Sequence, residues 1–133
     1  MSFIRGFIKK NSGQALVEMA LVLPLLIILL MGIFETGRIF GAQLVLNDLA
    51  RQGARYGVVG HTDTEIYTTI TSECAWLNPT DINVTIFPAF AERQKGISLN
   101  VKVDYPLELM TPFSSNLFSN PLPLSAECLM RIE

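Results

Sequence analysis

The 133-residue sequence predicts an α+β fold: a long N-terminal helix, half transmembrane and half amphipathic, on a small antiparallel sheet with a second short helix. Three observations predict it. An apolar run near the N-terminus is long enough to cross a bilayer. A stripe of small and apolar residues at helical spacing comes directly after it. In the second half of the chain the hydrophobic period changes to two.

The first element is read from residues 12–38, "SGQALVEMALVLPLLIILLMGIFETGR". Sixteen consecutive residues, Met19 to Phe34, carry no charge, and Ala15 to Val17 extend the run upstream of Glu18. A charge at the centre of a bilayer costs about 2.5–3.5 kcal/mol, and less near the interface, so Glu18 calls for an explanation. Residues 1–13 carry Arg5, Lys9 and Lys10 and no acid, the pattern that keeps an N-terminus cytoplasmic and exports the remainder of the chain. Four accounts of this region compete. A cleaved secretory signal has a shorter apolar core and a small-x-small site, whereas this run leads into Glu35-Thr36-Gly37-Arg38. A plain signal anchor leaves Glu18 unexplained, and a buried helix of a soluble protein is rarely so uniformly apolar. The fourth account removes only a basic leader, cutting after Gly13 and retaining the apolar segment. The expected organisation is a leader over 1–13, a transmembrane helix over 14–38 and an exported helix-plus-sheet domain over 39–133.

Pro24, inside the run, removes a backbone donor and crowds the preceding turn, so a kink or local loosening is expected near Ala20. Gly32, Gly37 and Gly41 come next; the last two have the spacing that permits close helix contact. The helix is expected to continue to about Val59. Ile39, Ala42, Leu46, Leu49, Gly53 and Tyr56 form an apolar stripe in steps of three and four, with Asp48, Arg51, Gln52 and Arg55 on another face. Ala50, Gly53, Ala54 and Gly57 are so small that close packing on a sheet is preferred over a coiled-coil seam. After Gly60-His61, Thr62 or Asp63 caps a second helix bearing Ile66, Ile70, Cys74 and Leu77 on one face and ending at Asn78-Pro79.

Ile82, Val84 and Ile86 then share one strand face. In the clearest strand, Ile97, Leu99, Val101, Val103 and Tyr105 alternate with Ser98, Asn100, Lys102 and Asp104. A stretch containing Pro106, Pro112, Pro121 and Pro123 reads as a long loop. The closing segment puts Ala126, Cys128, Met130 and Ile132 on one face. The amphipathic half of the first helix is the natural cover for the sheet.

Chemistry is sparsely represented. Residues 61–133 hold nine acids and four bases, a net charge of −5 that offers no footprint for nucleic acid. Two cysteines and one histidine, His61, do not make a zinc site. No nucleophile has a recognisable base beside it, and no phosphate-binding glycine loop is present. The expectation is a protein that is not an enzyme, with no metal, cofactor or small-molecule substrate. Cys74 and Cys128 leave two alternatives: a disulfide closing a loop of about 55 residues, or two buried free thiols.

Gly13-Gln14-Ala15-Leu16-Val17-Glu18, followed by an apolar helix with an early proline, resembles the processing site of type IV prepilins. The wider pattern "GQALVEMALVLPLL…GIFETGR…QLVLNDLARQGARYG" is similar to TadE-like pseudopilins of tight-adherence (Flp) pilus systems, over about residues 12–57. Met19 departs from it, since many relatives have phenylalanine after the glutamate.

The resemblance implies a pilin-like layout and cleavage between Gly13 and Gln14 by a membrane-embedded prepilin peptidase. It also implies a minor pilin or pseudopilin role in a Flp-type pilus or a related secretion pseudopilus. The implied partners are the peptidase, other pilins and pseudopilins, pilus platform membrane proteins and the lipid bilayer. The implied location is the cytoplasmic membrane, with the domain on the periplasmic or extracellular side or in the pilus. Glu18 would then lie about 6 Å along the helix from the new Gln14 amine. A neighbouring subunit shifted by a similar step would bring its Gln14 amine beside this Glu18, so that two charges costly in lipid offset each other. The alternative is an uncleaved single-pass protein with an exported binding domain.

Overall fold

The computed structural model describes the backbone of residues 5–111 and 114–133, and side chains over 13–111 and 116–133. Residues 1–4 of the expected leader, Pro112 of the proline-rich stretch, and the side chains of Arg5, Lys9 and Lys10 lie outside the described residues. The elements are α1 (Arg5–Val58), α2 (Asp63–Ser72), β1 (Asn83–Phe87), β2 (Ser98–Leu107), a single turn α3 (Ser114–Leu117) and β3 (Leu122–Arg131). The three strands form one antiparallel sheet in the order β1-β2-β3. This is the α+β, pilin-like layout that the sequence predicts.

α1 starts earlier than expected and crosses residues 13 and 14 without a break. It also continues through Pro24. Its C-terminal half supplies one side of the core: Ala42, Leu46, Leu49, Ala50, Gly53, Ala54 and Gly57 are buried, while Asp48, Arg51 and Arg55 face solvent. Tyr56, expected on the stripe, is exposed, its ring centroid 5.1 Å from that of His61. Gly57, one position later, takes its place because α1 comes too close to β2 there for a side chain. A Cβ on Gly53 would sit 2.8 Å from Ile70 Cδ1 and 3.1 Å from Val101 Cγ1, and one on Gly57 would overlap Leu99 Cδ2. The small residues face the sheet, as the sequence suggests, and no coiled-coil seam is needed.

The sheet places like with like across its ladders. Ile86, Val101 and Cys128 form one inward row, and Val84, Val103 and Ala126 the next. Cross-strand pairs of β-branched residues, here Ile86 with Val101 and Val84 with Val103, are the unit that stabilises such a sheet. Leu99, Val101 and Val103 are fully buried beneath α1. Pro106 and Pro123, expected in a loop, lie within β2 and β3 and face each other in register. β1 pairs with β2 only as far as Asp104, so Pro106 falls where β2 has no second neighbour, and β3 is an edge strand throughout. Proline is tolerated at such edges.

α2 is capped as expected. The Thr62 hydroxyl accepts from the Glu65 amide at 3.4 Å, and Glu65 Oε2 accepts from the Thr62 amide at 2.8 Å, a reciprocal capping box. Those bonds from Thr62, and then one from His61, hold the Glu65 carboxyl below the usual carboxylate range. The helix ends at Ser72, well short of Asn78-Pro79. Hydroxyls of Thr68, Thr69, Thr71 and Ser72 bond back to carbonyls three or four residues earlier, a competing interaction that weakens a helix end. Ala75 then takes a left-handed conformation at φ 53°, and Cys74 and Leu77 still reach the core from this turn.

Of the two cysteine alternatives the structure holds free thiols, Cys74 buried and Cys128 half-buried. Cys74 Sγ lies 3.2 Å from the Thr71 carbonyl and 3.3 Å from that of Leu77, while Cys128 packs in the Val101 row.

The close approach of α1 to β2 is testable at Gly57. Gly57→Ala gains about 1 kcal/mol in helix propensity. Overpacking against Leu99 costs about 1–3 kcal/mol, so a net loss of about 1 kcal/mol is expected. The thermal unfolding midpoint of the full chain in detergent should fall; an unchanged or raised midpoint contradicts the packing.

Candidate functional site

The half of α1 that precedes the core is bare. Its most apolar window, within Gly13–Val58, has a mean hydropathy of 2.7 and none of it is buried against the rest of the protein. A core helix of a soluble protein would be covered; this one presents Leu16 to Phe34 outward on every side. Ala15 to Phe34 spans about 30 Å, the thickness of the bilayer hydrocarbon. A helix apolar all round and uncovered fits a single-pass membrane protein.

Gly13, Gln14 and Glu18 lie near the start of this rod, all exposed. Gln14 and Glu18 are one turn apart, so their side chains share a helix face. Gly32 and Gly37 have open space where a Cβ would be. Gly41 does not: Trp76 Cζ2 lies 3.6 Å from the position its Cβ would take. The expected Gly37 and Gly41 pair is therefore split, because the chain covers the second glycine itself. The open strip runs instead through Ile33, Gly37, Phe40 and Leu44, in steps of four, three and four. Phe40 and Leu44 are 67% and 66% exposed although they lie beyond the apolar run.

The opposite face carries Glu35, which sequence reasoning treated only as part of a poor cleavage site. It is 4% exposed. Its Oε2 accepts from the Met110 amide at 3.1 Å and the Thr111 amide at 3.2 Å, and its Oε1 pairs with Arg38 Nη1 at 3.2 Å. Arg38 Nη1 also donates to the Glu108 carbonyl at 3.4 Å. A carboxylate that accepts two backbone amides and a guanidinium bond has the partners that burial of a charge demands. Glu35 and Arg38 thus clasp the β2–β3 loop to α1 at the last turn of the apolar rod. A signal for its burial, though not for its partners, was present: Glu35 stands seven residues before Ala42, in line with the buried stripe.

A second clasp closes the far end of the body. Arg93 Nη1 donates to the His61 carbonyl at 2.7 Å, and the guanidinium pairs with Asp63. Asp63 also accepts from the Phe90 amide at 3.1 Å. His61 Nδ1 is 3.3 Å from Glu65 Oε2. His61 lies at the turn between the two helices, as its sequence context suggests. Among the described residues, no group of three His, Cys, Asp or Glu side chains is arranged to hold a metal ion.

Fold and site together give a pilin-like layout in which one long helix fits a single-pass membrane span and also supplies the core. The family described as TadE-like protein matches residues 13–55, about a third of the chain, covering the bare rod and most of the buried stripe. Over this segment the chain is similar to the TadE-like family. No curated protein and no solved structure matches.

The Glu35 clasp predicts a specific loss. In Glu35→Ala the Met110 and Thr111 amides lose this acceptor, at a cost of about 2 kcal/mol or some 30-fold in the population of the open loop. Protease cleavage within residues 108–121 of the folded chain should quicken accordingly; unchanged cleavage contradicts the clasp.

Proposed function

We propose that this protein is made as a prepilin, held in the cytoplasmic membrane with its N-terminus inside, and cut between Gly13 and Gln14 by a prepilin peptidase. The retained chain then works as a minor pilin or pseudopilin in assembly of a Tad-type pilus or a related secretion pseudopilus. It acts by helix packing and not by chemistry. The observation that carries this reading is the bare apolar rod with Glu18 one turn after Gln14, inside the TadE-like match.

The exposed strip of Ile33, Gly37, Phe40 and Leu44 supports packing against a neighbouring pilin or pseudopilin helix. Gln14 and Glu18 support the stagger: the freed Gln14 amine of one subunit offsets the Glu18 carboxylate of the next, where each alone is costly in lipid. The platform proteins of the pilus and the bilayer complete the partners, and the body faces the periplasm or the filament surface. α1 is helical across Gly13 and Gln14. A peptidase therefore has to unwind it there, and glycine resists less than any residue but proline, being about 1 kcal/mol worse than alanine in a helix. That same continuity favours the rival reading, an uncleaved single-pass protein with an exported binding domain.

N-terminal sequencing of protein from membranes, in cells with and without the peptidase, separates the two. The mature chain should begin at Gln14 only when the peptidase is present; Met1 in both strains contradicts processing. In the same cells Glu18→Gln should be cut normally yet fail to support assembly, and unimpaired assembly overturns the pairing.

A further inference from the structure

β2 runs antiparallel to α1: Gly57 lies against Leu99, Gly53 against Val101, and Glu35 against the Met110 and Thr111 amides. The sheet therefore delivers the β2–β3 loop to the level of the last turn of the apolar rod. There the loop is pinned twice. Glu35 holds Met110 and Thr111, and the Asn120 side chain closes the neck, accepting from the Leu109 amide at 3.1 Å and donating to its carbonyl at 3.4 Å.

Three large apolar side chains of this pinned loop face outward. Met110 is 70% exposed, Leu117 64% and Phe118 56%, in a loop held at the level where the rod's Phe34 is 64% exposed. The sequence contains no charged residue from Leu109 to Ala126, although the rest of the body is strongly acidic. Three exposed large apolar side chains gain nothing from water, whereas a loop entering the headgroup region is served by them and by the lack of charge.

We propose that the β2–β3 loop docks on the lipid surface from which α1 emerges, inserting Met110, Leu117 and Phe118 at the boundary between headgroups and acyl chains. The occupant is lipid because the patch is continuous with the span: the Glu35 carboxylate places Met110 directly beside the last apolar turn. The rod and the loop then make two attachments, which fix the rotation of the body about α1 on the membrane. This inference rests on α1 spanning the bilayer.

The test uses single-tryptophan reporters in the full chain, with Trp76→Phe as background, reconstituted in phosphatidylcholine and phosphatidylglycerol vesicles containing brominated phospholipid. Phe118→Trp and Met110→Trp report on the loop. Leu26→Trp reports on the rod, and Phe87→Trp reports on the distal end of the body, where Phe87 pairs with Asn100 beside Leu99. The brominated lipid should quench both loop reporters nearly as strongly as Leu26→Trp, with blue-shifted emission, while Phe87→Trp is quenched only by aqueous acrylamide. If Leu26→Trp is quenched and the loop reporters behave like Phe87→Trp, loop docking is overturned and the span stands. An unquenched Leu26→Trp overturns the span itself, and the docking with it.

Discussion

The body stays on α1 because one face of that helix has been stripped almost to backbone. At Gly57 Leu99 of the sheet, and at Gly53 Ile70 of α2 with Val101 of the sheet close behind, leave no room for a methyl group, and Ala42, Ala50 and Ala54 are buried on the same half of the helix. Close-packed interiors gain dispersion energy only where voids are absent, so a small-residue face lets Leu99, Val101 and Val103 seat against the helix itself. The large side chains come from elsewhere: Leu46 and Leu49 from α1, Ile66 and Ile70 from α2. A small domain thereby obtains a core while surrendering its longest helix to a second task.

That second task sets the other boundary. A single helix passes from a surrounding that satisfies only apolar side chains to one that rewards a matched protein surface, and the change occurs within about a turn at Glu35. The two acids of the rod's region illustrate the difference. Glu35 is buried with two amides and a guanidinium group as partners, so its charge is balanced within the chain. Glu18 is exposed on a bare helix. The carboxylate balanced internally serves structure; the exposed one is the group to which the proposed function gives a partner in a neighbouring subunit.

Much of this architecture could be read from residue order. The apolar run, the small-residue stripe, the alternation of β2 and β3 and the cap at Thr62 are local patterns whose period or chemistry names the element. Three features were not legible, for physical reasons. Ile66, Ile70, Cys74 and Leu77 continue a helical spacing, yet the helix stops at Ser72 because side-chain hydroxyls compete for its carbonyls and Ala75 turns left-handed. Prolines 106 and 123 look like loop residues until the short reach of β1 leaves Pro106 without a second neighbour and the strand order puts Pro123 on an edge strand. The clasp of Glu35 on Met110 and Thr111 joins residues about 75 positions apart, and no local pattern announces such a partner. The apolar rod was more legible than the body, because length and hydropathy, the properties that suit a helix to a bilayer, are written in local sequence.

The central claim is that α1 is one uninterrupted rod, in lipid before Glu35 and in the protein core after it. Amide hydrogen exchange of the full chain in lipid nanodiscs tests this most directly. Slow exchange should run without a gap from the apolar segment through Glu35, Arg38 and Gly41 to Gly57. A fast-exchanging break between Phe34 and Gly41 would show two helices joined by a hinge, and would contradict a span and a core built on one element.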